Sequence, residues 1–183
     1  MSYAVDLNLD AQSSAAVRRI WERLAAQGIS DFMARVDVSP HLCLASYEHA
    51  DEVRLAEVFA RFCEDAAPLP VEFHSVGVFP RPEPILFLAP RVSIALIDRH
   101  AAFHALAEQA GLECHPYYRP ANWVPHCTLA MRMAPVALPR ALAEIAELGE
   151  AWQPLSATLN AAELVSYYPV RRIELRAFHT VPG

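Results

Sequence analysis

Pro125-His126-Cys127-Thr128-Leu129-Ala130 nearly repeats an earlier stretch of the chain, Pro40-His41-Leu42-Cys43-Leu44-Ala45. The two histidines lie 85 residues apart in a chain of 183, close to half its length. Both stretches read as strands. Strand side chains alternate between faces, so His41 and Cys43 share one face and Leu42 and Leu44 the other. In the second stretch His126 and Thr128 oppose Cys127 and Leu129. We expect the leucines to pack under the helices of their own lobes. The two motifs then form paired strands about a pseudo-two-fold axis, with both polar pairs facing one groove.

The surroundings of the two stretches also match. A helix, a strand and a second strand follow His41 at about 10, 30 and 44 residues, and His126 at about 11, 29 and 46. A helix precedes each motif. The first is marked by Val17, Ile20, Trp21 and Leu24 at helical spacing, with Asp10, Ser13 and Ser14 as capping oxygens and Gly28 as its stop. The second runs from Ser93 to Gly111, with Phe103, Leu106, Ala107 and Ala110 in its stripe. The helices after the motifs carry Leu55, Val58, Phe59 and Phe62, opened by Asp51, and Leu138, Ala141, Leu142, Ile145 and Leu148, closed by Gly149. Tyr3 to Leu9 alternates with period two, which predicts a strand with one buried face. Val71 to Phe79 and Ile85 to Ala89 flank the stiff loop Pro80-Arg81-Pro82-Glu83-Pro84. Two closing strands are expected at about Leu155 to Tyr168 and Arg171 to Val181. The fold class is α+β: two pseudo-symmetric lobes, each a mostly antiparallel sheet with helices on its outer face, and a cleft between them. Residues 1–183 form a single bilobal domain.

Composition narrows the function. The chain is 54% hydrophobic and 20% charged, enough for a packed core. A net charge of −6 argues against extended duplex nucleic acid and leaves room for a small anionic ligand at a local site. No apolar run reaches the length of a membrane span, and no stretch reads as a signal peptide. Cys43, Cys63, Cys114 and Cys127 form no C-x-x-C pair and read as reduced thiols of a cytoplasmic protein. We expect a monomer.

Two opposed imidazoles suit acid–base work near neutrality, one accepting a proton while the other donates. A hydroxyl two residues on, as at Thr128, can donate to a phosphate oxygen. This chemistry fits phosphodiester cleavage without a metal or other cofactor. The residues do not say which histidine plays which role.

Trp123-Val124-Pro125-His126-Cys127-Thr128-Leu129-Ala130 resembles the second signature of the 2H phosphoesterase superfamily, in its bacterial 2′–5′ RNA ligase-like branch. Ser75-Val76-Gly77-Val78-Phe79-Pro80 with Leu86-Phe87-Leu88, and Pro169-Val170-Arg171-Arg172-Ile173, resemble further segments of that family. The resemblance covers nearly the whole chain. It implies a bilobal fold, His41 and His126 as the catalytic pair, Thr128 contacting phosphate, and a substrate that is a nucleotide or short RNA with a cyclic phosphate or a 2′–5′ linkage. One position departs: Cys43 stands where the family carries Thr or Ser. We expect Cys43 still to line the substrate pocket, with weaker donation from its thiol. The alternatives are a binding module that has lost turnover and a 2′–5′ RNA ligase.

Other residues carry blander readings. Cys127 reads as a buried small hydrophobe, and Cys43 as a nucleophile is a minor alternative. His100 and His104, at i and i+4, have zinc-ligand spacing but lack a third ligand, so we read them as a solvated helix face. The Tyr117-Tyr118-Arg119 loop and Arg132 are candidates to reach the cleft. His49, His74, His115 and His179 show no usable pattern.

Overall fold

The computed structural model describes residues 2–148, 154–167 and 169–179. The elements are β1 (Ser2–Leu9), α1 (Ala11–Ala26), α2 (Phe32–Arg35), β2 (His41–Tyr47), α3 (Glu52–Glu64), β3 (Leu69–Phe79), β4 (Ile85–Pro90), α4 (Ile94–Gln109), β5 (Cys127–Ala130), α5 (Leu138–Glu147), β6 (Leu155–Tyr167) and β7 (Arg171–Ala177). The α+β class is as expected. The short α2 has no expected counterpart. His126 sits one residue before β5 rather than within it. Gly149, Tyr168 and residues 180–181, named in the expected boundaries, lie outside the described residues.

The helices begin where their capping side chains sit. Asp10 accepts from the Ser13 backbone N–H, Asp51 from Arg54 and Ser93 from Leu96. Gly28 and Gly111 have φ of 64° and 69°, the left-handed conformation that lets the chain leave α1 and α4. The stripes of α1 and α3 are buried as spaced, including Trp21 and Phe59. Burying each such side chain contributes about 1.5–3 kcal/mol.

All strands belong to one sheet with antiparallel ladders, in the order β2-β1-β6-β3-β4-β5, with β7 also on β6. Exchanging β1 with β4, β2 with β5 and β3 with β6 reverses this order. The repeating unit is therefore β-α-β-α-β, and the pseudo-two-fold passes through the β3–β6 ladder. The expected unit of motif strand, helix, strand, strand had β4 closing the first half. In the structure β4 opens the second half as β1 opens the first, and β7 is an addition. The two lobes are halves of one continuous sheet.

Three further expectations are corrected. The motif strands are not hydrogen-bonded to each other, since β2 pairs with β1 and β5 with β4. They stand at opposite ends of the strand order, yet come back into contact with one another. The helices over them come from the other half of the chain: α1 packs on β5 and α4 on β2. β1, read as having one buried face, is buried on both, because it is interior to the sheet with its polar face under the cleft. Asp6 and Asn8 are consequently buried, at 1% and 5% exposure.

Candidate active site

Alternation acts as the sequence implies. Leu42, Leu44, Cys127 and Leu129 are in the main core. His41, Cys43, His126 and Thr128 all line one cleft of about 370 Å³. Its other walls include Ala4, Tyr118, Tyr167, Ile85 and Arg132.

Both motif histidines are held in the same way. His41 Nδ1 lies 2.6 Å from the Ser39 carbonyl, and His126 Nδ1 lies 2.7 Å from the Val124 carbonyl. A carbonyl only accepts, so each Nδ1 carries hydrogen and each Nε2 is left for other chemistry. The residue between carbonyl and histidine is a proline in both, Pro40 and Pro125, and both are buried. Proline holds the preceding residue extended, which aims its carbonyl at the ring two residues on.

The carbonyls of the two paired positions are also held alike. Trp123 Nε1–H donates to Cys43 O at 3.0 Å, and Trp21 Nε1–H to Thr128 O at 2.9 Å. Both strands are sheet ends, where unpaired backbone groups need partners from elsewhere. His104 Nε2 meets Leu44 O at 3.1 Å, and the His115 backbone N–H meets Ser46 O at 2.7 Å.

The environments of the two rings differ. The buried Asp6 carboxylate approaches His41, with Oδ2 3.8 Å from Nε2. Burial pushes the Asp6 carboxyl up, His41 pulls it back, and Glu163 across the β1–β6 ladder pushes it up again. Neither Asp6 oxygen has a hydrogen-bond partner among the described protein groups. His126 instead meets aromatic rings, with Phe79 and Phe87 centroids at 4.9 and 5.3 Å. Burial lowers its proton affinity, the Val124 carbonyl offsets part of this, and His41 and Arg81 lower it further.

Cys43 is buried in a small cluster with Ala4 and Val165, against which Tyr118 and Tyr167 pack. Its Sγ donates to Ala45 O at 3.4 Å. Burial and the nearby Asp6 push the thiol well up, which keeps it protonated and disfavours it as a nucleophile. Cys127 is likewise pushed up to about 12 by burial.

The reading of His100 and His104 as a solvated face is overturned. His100 is 2% exposed and stacks on Trp123 at 3.9 Å and 13°. Its Nε2 meets Tyr118 O at 3.0 Å. The two rings are clamps between α4, β2 and the 116–123 loop. Their Nε2 atoms are engaged by carbonyls, and no group of three or more potential metal-binding His, Cys, Asp or Glu side chains occurs among the described residues. Of the loop candidates, Tyr118 lines the cleft, whereas Tyr117 lines an adjoining concavity and Arg119 lines neither. Arg132, itself at φ of 54°, lines the cleft and lies over Phe32 at 4.1 Å. Sequence reasoning missed Asp6, Tyr167, His115 and Arg81. None of them carried a local signal: Asp6 stands with Asn8 on the polar face of a period-two strand.

The model of the 2′-5′ RNA ligase superfamily matches residues 10–171, most of the chain and both motifs. The chain belongs to that superfamily. It is a superfamily of 2H phosphoesterases and RNA ligase-like proteins, so phosphodiesterase or ligase chemistry is the general activity indicated. Escherichia coli LigT complexed with 3′-AMP is similar in fold, with a TM-score of 0.63 and 15% identity over 97% of this chain and 98% of that one. The protein TT0787 of Thermus thermophilus gives a TM-score of 0.64 and 18% identity, again over 97% and 98%. A structure described as a phosphoesterase gives 0.60 and 15% over the same shares. A comparison with curated protein sequences finds no match. No helix among the described residues is long and apolar enough to cross a membrane.

Proposed function

We propose that this superfamily member is a metal-independent phosphodiesterase, acting on 2′,3′-cyclic phosphate ends or 2′–5′ linkages of nucleotides or short RNA. The observation that carries the reading is the shared holding of His41 and His126, each with Nδ1–H on a carbonyl and Nε2 available in one cleft. In ring opening, His126, kept neutral by its burial, takes a proton from water through Nε2. The water oxygen bonds to phosphorus and the bond to the ribose oxygen breaks. That oxygen takes a proton from His41, whose Nε2 lies 3.8 Å from Asp6 Oδ2. Thr128 donates to a phosphate oxygen, with Cys43 opposite it as a weaker contact. LigT holds 3′-AMP in one structure, the kind of product such ring opening gives. The four free thiols suit a reducing compartment, and we place the protein in the cytoplasm, as a monomer with one bilobal domain over 1–183.

The second reading, a nucleotide-binding module without turnover, is favoured by one observation. The Cys43 thiol is turned onto Ala45 O. Turnover of 2′,3′-cyclic AMP in the presence of EDTA separates the two. The wild type should hydrolyse it, and His126→Ala should lose about two to four orders of magnitude in kcat. Hydrolysis surviving in His126→Ala overturns the mechanism, and a wild type that binds the nucleotide without turnover establishes the second reading.

A further inference from the structure

The two sides of the cleft carry their hydroxyls on different segments. On one side β5 brings Thr128, and α2, which lies against β5, brings Phe32 and Met33, neither with a hydrogen-bond donor on its side chain. On the other side β2 brings the thiol of Cys43, and the single turn Pro116–Tyr118, which lies against β2, brings Tyr118. Both of these short segments precede the motif strand of their own half. We infer that Tyr118 is a catalytic residue, whose hydroxyl donates to the phosphate on the His41 side and stands in for the hydroxyl that position 43 lacks. The inference rests on the phosphodiesterase reading for the position of the phosphate.

Three observations carry it. The first is place. Tyr118 lines the cleft with His41, Cys43 and His126 and packs against the small cluster that buries Cys43. Its hydroxyl hydrogen-bonds the Cys43 thiol, so it sits beside position 43 itself. The second is readiness. Sulfur is a weak acceptor, and a charged phosphate oxygen is a strong one, so the hydroxyl gains by exchanging the first for the second. The exchange needs only a turn of the O–H about its own bond to the ring. The thiol does not compete for the phosphate, because its hydrogen is on Ala45 O. Cys43, burial and Asp6 all push the Tyr118 hydroxyl up, so it keeps its proton and remains a donor. The third is rigidity. The Tyr118 carbonyl accepts from His100 Nε2 at 3.0 Å, and its backbone N–H donates to His115 O at 2.9 Å. His100 stacks on Trp123, whose Nε1–H holds the Cys43 carbonyl. One clamp therefore fixes both Tyr118 and Cys43, and a donor held in advance costs no reordering when charge develops on the phosphate.

The test is a cycle of four proteins: wild type, Tyr118→Phe, Cys43→Thr and the double variant. Tyr118→Phe keeps the ring and the backbone clamp and removes only the hydroxyl. It should lower kcat/KM on 2′,3′-cyclic AMP about ten- to a hundredfold. Cys43→Thr returns a hydroxyl to position 43, so its gain should be about tenfold larger in the Tyr118→Phe background than in the wild type. A hydroxyl with a merely structural role would give the same gain in both. Wild-type kcat/KM in Tyr118→Phe, or a Cys43→Thr gain that is equal or smaller in that background, overturns the inference. Failure of the phosphodiesterase reading shows separately, as a wild type without hydrolysis. The dissociation constant of inorganic phosphate, measured by calorimetry, then reads the same cycle. Binding weakened by Tyr118→Phe and recovered by Cys43→Thr sustains the contact with the anion, and equal or undetectable binding in all four proteins overturns it.

Discussion

Proline decides what each motif histidine can do. Pro40 and Pro125 aim a carbonyl at each imidazole Nδ1, and the two Nε2 atoms follow. The pairing of His41 with Cys43 and of His126 with Thr128 was legible, because a period of two needs no tertiary information. Asp6 was not. Its face of β1 would be wet in an edge strand, and nothing local says that β1 lies inside the sheet. Cys43 is where the halves differ most. A hydrogen bond to a charged phosphate contributes about 1.5–3 kcal/mol, and a thiol supplies little of it. Cys43→Thr should therefore raise kcat on 2′,3′-cyclic AMP about tenfold, measured in steady state. An unchanged or lower rate would show that position 43 does not contact the phosphate.

At the level of elements, helix spacing and caps were readable, and partners were not. The stripes of α1 and α4 state that a face is buried without stating against what. Both chose the strand of the other half, and His100, polar in type, joined the buried stripe of α4. The pair β3–β4 shows a similar dependence. Gly77 and Phe87 are cross-strand partners, and the Phe87 ring lies across Gly77 where a Cβ would collide with it. The same ring packs at a tilt against Phe79 and reaches His126. Gly77→Ala should push Phe87 aside, cost about 1–3 kcal/mol in overpacking and lower kcat about tenfold or more through misplacement of His126. Gly77→Ala/Phe87→Leu should recover part of the lost stability. A Gly77→Ala protein with wild-type kcat and melting temperature would contradict the linkage.

Across the whole molecule, the exchanged helices and strands make the cleft a property of the complete fold. The sequence repeat disclosed the duplication but placed β4 in the wrong half, because spacing alone cannot tell a strand that closes a unit from one that opens the next. The α4–β2 clamp gives this assembly a pH dependence. Burial and the neighbouring His104 hold His100 at about 4, below the usual 6.5. Its native form resists protonation that the unfolded chain accepts. Stability is therefore full above about 6.5 and falls as the pH drops toward about 4, by about 2 kcal/mol at pH 5 and about 3 kcal/mol at pH 4 from His100 alone. His104, also lowered by burial, adds in the same direction. Urea midpoints at pH 7.5 and 5 check this; equal midpoints would contradict it. The central claim is that His41 and His126 act as one unit on one phosphate. It is tested most directly by kcat on 2′,3′-cyclic AMP for His41→Ala, His126→Ala and the double variant. Residues that act together are not additive. The account predicts a loss of about two orders of magnitude or more in each single variant, and a double variant about as slow as the worse single one. Losses that multiply in the double variant, or a single variant close to wild type, would contradict it.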